Sequence, residues 1–156
     1  MGSAPVMSKA PSMGSAPAGS PAVHGYHAHV YHDSDTLPKA ERLCAALAAT
    51  FPVELGRFSG EQVGPHPVPQ FQVIFTNEAF QNVVPWLMLN RDGLDILVHP
   101  LTNDMVDDHT VYAMWLGMPI KLKLDTMQRR GYSAALLPSV SAPQHGWIGG
   151  TAFAPV

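Results

Sequence analysis

Tyr26-His27-Ala28-His29-Val30-Tyr31 decides how the rest of the chain is read. Side chains alternate along a strand, so Ala28 and Val30 share one face while His27, His29 and Tyr31 share the other. The apolar pair must meet a core, which turns both imidazoles to the opposite side. Leu94-Asp95-Ile96-Leu97-Val98-His99 repeats the pattern, with Ile96 and Val98 inward and Asp95, Leu97 and His99 outward. Gln70-Phe71-Gln72-Val73-Ile74-Phe75 is a third such strand, with Phe71, Val73 and Phe75 inward and Gln70, Gln72 and Ile74 outward.

Helices fit between these strands. Asp35 or Thr36 can cap a helix whose first turn holds Pro38, where a missing N–H costs nothing. Ala40, Leu43, Cys44, Leu47 and Phe51 recur at helical spacing, and Pro52 ends the run. Val53 to Phe58 reads as a strand, followed by a stiff Gly/Pro loop, Ser59 to Pro69. Asn77 can cap a second helix carrying Phe80, Val83, Val84 and Leu87, with a kink or break expected at Pro85. Trp86, Leu87 and Leu89 are expected in the core. Asn90-Arg91-Asp92-Gly93 is a turn. Asp107 or Asp108 opens an expected short helix, His109 to Leu116, ended by Gly117 and Pro119. Asp104, Asp107 and Asp108 read as a solvated loop with a cap.

The order is β-α-β-β-α-β, an α+β ferredoxin-like arrangement with a four-stranded antiparallel sheet and both helices on one face. The other face is expected to be free for a ligand or a partner chain. Residues 1–22 repeat Met-Gly-Ser-Ala-Pro at 1–5 and 13–17 and have nothing large to bury, so disorder is expected there. Residues 23–126 form the expected domain, and 127–156 lose periodicity and read as a tail.

The 156 residues suggest one domain. The net charge of -3 comes without a basic stripe, which argues against a nucleic-acid binder. No run approaches the roughly 20 apolar residues of a membrane span. One cysteine, Cys44, excludes an internal disulfide and fits a reducing compartment. With no secretory segment read at the N-terminus, a cytoplasmic location is expected.

Alternation places His27, His29, His99, Asp95 and Gln72 on one surface, and His66, in Gly64-Pro65-His66-Pro67, can fold over its edge. A single strand histidine is ordinarily hydrogen-bonded or exposed. Several converging imidazoles instead make a metal or acid/base site. The convergence depends on register, since a slip of one residue would turn a histidine into the core. His24, His32 and His145 lie at element ends or in tails and read as solvated. Trp115 could line a pocket or pack.

Six segments also carry a family resemblance: 26–31, Gly64-Pro65-His66-Pro67, Phe71-Gln72-Val73, Val84-Pro85-Trp86-Leu87-Met88-Leu89-Asn90-Arg91, Leu97-Val98-His99-Pro100 and Trp115-Leu116-Gly117. Together they resemble the DOPA dioxygenase family, over roughly residues 25–125. The resemblance implies a ring-cleaving dioxygenase acting on L-DOPA or a related catechol with O₂, at non-haem Fe(II), with zinc an alternative occupant in purified protein. It implies His29, His66 and His99 as metal ligands, His27 and His109 as acid/base residues, and a homodimer. Tyr31 and Gln72, on the same face, are candidate substrate contacts. Non-haem iron oxygenases often use two histidines and a carboxylate. Asp95 lies four residues from His99, about 13 Å on a straight strand, too far for one metal. An all-histidine site is therefore expected. The competing reading is a non-catalytic module that binds a metal or an aromatic ligand through the same histidines.

Overall fold

The computed structural model describes residues 19–139. Most of the low-complexity N-terminal stretch and His145 lie outside the described residues. Strands β1 (Tyr26–Tyr31), β2 (Glu54–Ser59), β3 (Gln70–Phe75), β4 (Ile96–Pro100) and β5 (Met114–Leu116) form one antiparallel sheet in the order β2-β3-β1-β4-β5. Helices α1 (Leu37–Thr50) and α2 (Asn77–Asn90) precede β2 and β4, and a single turn, α3 (Met105–Asp108), precedes β5. The first four strands keep the expected β-α-β-β-α-β order, but the sheet has five strands, not four.

The fifth strand replaces part of the helix expected over His109 to Leu116. Met114, Trp115 and Leu116 instead pair with Val98, Leu97 and Ile96. Asp104 caps α3 by accepting from the backbone N–H groups of Val106 and Asp107, and the turn ends at His109. Thr36 sits at the start of α1, as expected, but makes no cap bond through its side chain. Asp33 orders that approach by accepting from the N–H groups of Asp35 and Thr36. Thr76, not Asn77, occupies the cap position of α2, and the Asn77 amide donates instead to the Val23 carbonyl before β1. Pro85 does not interrupt α2, which runs through it.

The inward faces behave as the alternation requires. Ala28, Val30, Phe71, Val73, Phe75, Ile96 and Val98 meet Leu43, Cys44, Leu47, Val83, Val84 and Leu87 in one apolar layer. Leu87 is buried there, whereas Leu89, expected in the core, is 86% exposed on the outer side of α2.

The opposite face is not free. His27, His29, His66, His99 and His109 are all buried, as are Ile74 and Leu97. Residues beyond β5 return across this face: Lys123 N–H donates to the Pro65 carbonyl, and Leu136 and Ser139 reach His27 and Glu54. Ile74 and Leu97, expected to stay exposed without a partner chain, are thus covered within one chain. Among the described residues no helix is long and apolar enough to cross a membrane.

Candidate metal centre

Strand β1 is paired on both sides, and its register builds the centre. His27 lies opposite His99 on β4 and Ile74 on β3; His29 lies opposite Leu97 and Gln72. With alternation holding in β1 and β4, His27, His29 and His99 rise from one face of the sheet. His66 enters from the loop before β3, and His109 from the end of α3. Ring centroids lie 4.0 Å apart for His29 and His66 and 4.0 Å for His99 and His109.

Hydrogen bonding fixes where the protons sit. His99 Nδ1–H donates to the Pro100 carbonyl at 2.8 Å, and His109 Nδ1–H donates to the Met105 carbonyl at 2.8 Å. His29 Nδ1 lies 3.1 Å from the Gln70 amide oxygen, an acceptor, and so carries its proton there too. A neutral imidazole has one N–H, so all three present a bare Nε2 lone pair. Yet His29 Nε2 and His99 Nε2 face each other at 3.1 Å. Two Nε2 atoms at that distance share either a hydrogen, with one ring in the other tautomer, or a cation. A remote N–H held by a carbonyl is the arrangement that orients metal-ligating histidines.

Ligand atoms come within 4.8 Å of one another in two groups that share His29: His27, His29 and His99, and His29, His66 and His109. Both are all-histidine. Burial pushes His27 down to about 4, His66 to about 3 and His109 to about 4. Burial first, and then the neighbouring imidazoles, hold His29 and His99 well below their ordinary range. All five are therefore neutral at pH 7, the form that binds metal. This donor set fits a borderline divalent ion such as iron or zinc.

The surrounding residues keep the rings in place. The Tyr31 hydroxyl and His66 Nδ1 are hydrogen-bonded at 2.7 Å, and Trp115 stacks on Tyr31. His27 Nε2–H donates to the Leu136 carbonyl at 2.7 Å, and Gln72 Nε2 donates to His27 Nδ1 at 3.1 Å. Asp95 is engaged elsewhere: its Oδ1 accepts from Met118 N–H beyond β5. His24 is exposed, while His32, read as solvated, is buried at the end of β1.

Four contributors were not singled out from the sequence. Gln70 shares the face of Gln72 by alternation, a legible signal. Asp108, read as solvated, is fully buried and accepts from Thr102 N–H at 2.8 Å and Thr102 Oγ1–H at 2.7 Å. Tyr132 and the Leu136 carbonyl come from a stretch without periodicity, where no signal existed.

Fold and centre together define a small α+β protein built round a buried polyhistidine cluster. Residues 26–126 match the Dopa 4,5-dioxygenase family, and the chain belongs to that family. It is 37% identical over 116 residues to an uncharacterized 21.2 kDa protein of Botryotinia fuckeliana, covering 67% of this chain and 63% of that one. It is 39% identical over 72 residues to a DOPA 4,5-dioxygenase of Amanita muscaria, covering 46% of this chain and 32% of that one. The chain thus spans less than two thirds of either of these relatives. The crystal structure of a presumed dioxygenase from Nostoc punctiforme is similar with TM-score 0.66 at 50% identity, covering 67% of this chain and 90% of that one.

Proposed function

We propose that the chain is a dioxygenase that cleaves the ring of L-DOPA or a related catechol in the extradiol manner, on a ferredoxin-like core with an added edge strand. The site would be a non-haem ferrous ion held by histidines alone. The observation that carries this reading is the approach of His29 Nε2 to His99 Nε2, each with its other nitrogen at a carbonyl oxygen. His29 and His99 would hold the ion, and His66 or His109 would have to move in to complete the set, since each shares a ligand group with His29 but not with His99. Iron there would supply the one-electron chemistry that lets dioxygen react with an aromatic ring.

The chain's own groups handle protons and access. Neutral His27 has its proton on Nε2 and its lone pair on Nδ1, so it can take a catechol proton at Nδ1 once Gln72 yields that position, and return it later as a general acid. Gln72 holds that ring in orientation. A hollow of about 700 Å³, lined by Gln70, Gln72, Ile74, Leu55 and Leu136, lies beside the centre. Tyr31 fixes His66 through its hydroxyl, and burial raises its pKa, so it stays a neutral phenol.

Metal analysis combined with an oxygen electrode tests the reading, using L-DOPA and simpler catechols. Bound iron with catechol-dependent oxygen uptake is expected. Bound metal without uptake would favour the second reading, a histidine-rich binding module, which the enclosure of all five imidazoles also favours. A homodimer would need a surface other than Ile74 and Leu97. Exposed Val111, Tyr112 and Met118 beside β5 offer one, and sedimentation showing monomer alone at micromolar concentration would exclude it.

A further inference from the structure

The 700 Å³ hollow stops short of the histidines: its lining includes Gln70 and Gln72 but no imidazole. All five imidazoles are buried, so something must move before an aromatic substrate can touch their rings. What covers His27 and His99 is the segment 127–139, beyond the family match at 26–126. Leu136, which lines the hollow, gives its carbonyl to His27 Nε2–H. The Tyr132 ring meets the edge of His27, with centroids 5.5 Å apart, and lies nearly parallel to His99 at 6.1 Å, 19° between planes. A phenol, the chemical relative of a catechol, is thus seated on two histidines of the centre.

The seat also has a place for a hydroxyl. The Tyr132 hydroxyl is buried beside the Asp108 carboxyl. Each Asp108 oxygen takes one hydrogen bond from Thr102, which leaves a lone pair on each for an incoming O–H. The strap itself is lightly attached. Most of residues 127–139 are exposed. Its other ties include Arg129 to Asp104 and Asp107, Ser139 to Glu54, and one backbone bond from Met105 N–H to the Arg130 carbonyl. Segments with few buried apolar contacts open at low cost. Pro138 docks on Gly25, where a Cβ would come within 2.4 Å of its ring.

We propose that the Tyr132 seat, walled by His27 and His99 and ended by Asp108, is a subsite for a hydroxylated aromatic ring, and that the strap lifts Tyr132 out to admit it. This rests on the dioxygenase reading for the identity of the natural ligand, but not for the binding itself. Lifting the strap also releases His27 Nε2–H from Leu136, so the seat and a hydrogen-bond donor for the ligand's oxygen become available in one movement.

The test uses metal-stripped full-length protein, with phenol and toluene as probes in calorimetry, for wild type and Tyr132→Ala. The variant should bind phenol at least ~10-fold more tightly than wild type, because no internal ring competes. It should also bind phenol more tightly than toluene, because Asp108 takes the hydroxyl. A merely apolar cavity would prefer toluene. Preference for toluene, equal phenol affinity in both proteins, or binding to neither would overturn the proposal. In wild type, saturating catechol should speed amide exchange at Leu136 and Leu137 and leave β1 and β4 unchanged. Bound catechol with unchanged or slower strap exchange would overturn it too. None of these measurements involves metal or turnover, so failure of the oxygen-uptake assay and failure here are separate results.

Discussion

His29 and His99 meet Nε2 to Nε2 at 3.1 Å, although they stand 70 residues apart in the chain. Each has its other nitrogen committed to a carbonyl oxygen, Gln70 Oε1 and Pro100 O. With both Nε2 atoms turned toward each other, the pair offers two donors that could grip a cation. His29→Ala or His99→Ala should lose bound metal and catechol-dependent oxygen uptake together, with far-ultraviolet dichroism retained, because neither ring belongs to the helix-packed layer. His27→Ala should keep its metal and turn over roughly 10²–10⁴-fold more slowly, the usual cost of losing a positioned acid/base. Full metal occupancy in His29→Ala would end the metal assignment.

Gln70 does not itself hold the ion in this scheme, yet its Oε1, 3.1 Å from His29 Nδ1, sets the His29 tautomer. Gln70→Ala should weaken metal binding by roughly 10–100-fold, the range seen for partners of ligating histidines. Competition with a coloured chelator measures it. Unchanged affinity would mean that the Gln70 contact does not orient the ring.

Acid should unfold the metal-stripped protein early. His27, His66 and His109 sit near 4, 3 and 4 when folded, against an ordinary 6.5, and His29 and His99 are also depressed. Below 6.5 the unfolded chain binds protons that the folded chain refuses. Stability is therefore full above about pH 6.5 and falls as the pH drops toward the folded values. Each histidine that stays neutral contributes a slope of about 1.4 kcal/mol per pH unit in that window. Urea midpoints at pH 7.5, 6 and 5 should fall in that order. Equal midpoints would show that the rings are not buried in solution.

Gly117 has φ of +96°, and a Cβ there would lie 2.3 Å from Asp95 Oδ1 and 2.7 Å from Arg91 Nη1. Gly117→Ala should destabilise the fold by about 1–3 kcal/mol through backbone strain and loss of the Asp95–Met118 contact. Chemical denaturation reads this directly. A loss under half that size would show that the turn after β5 can rearrange.

The sequence told most where side chains alternate. Both bounds of β1 and β3 and the outward placing of His27, His29, His99, Gln70 and Gln72 follow from period two alone. β5 did not, because three residues are too few to show a period, and acidic residues just upstream imitate a helix start. Only pairing with β4 makes Met114–Leu116 a strand, and that contact is not local. The enclosure of the site was illegible for a related reason. Tyr132 and Leu136 lie in chain without repeating apolar spacing, so what they cover depends on where a loop returns. Asp108 looked solvated beside Asp104 and Asp107, since burial next to Thr102 leaves no mark on spacing.

Strand β1 separates two chemistries by the thickness of one peptide layer: Ala28 and Val30 toward Leu47 and Leu87, His27 and His29 toward the other imidazoles. A shift of one residue during folding would press two imidazoles into hydrocarbon and set two small aliphatic groups where nitrogen donors belong. Such a chain would lose its apolar packing and its ability to capture an ion in the same stroke. Only the correctly threaded strand sets the imidazoles where an ion could meet them.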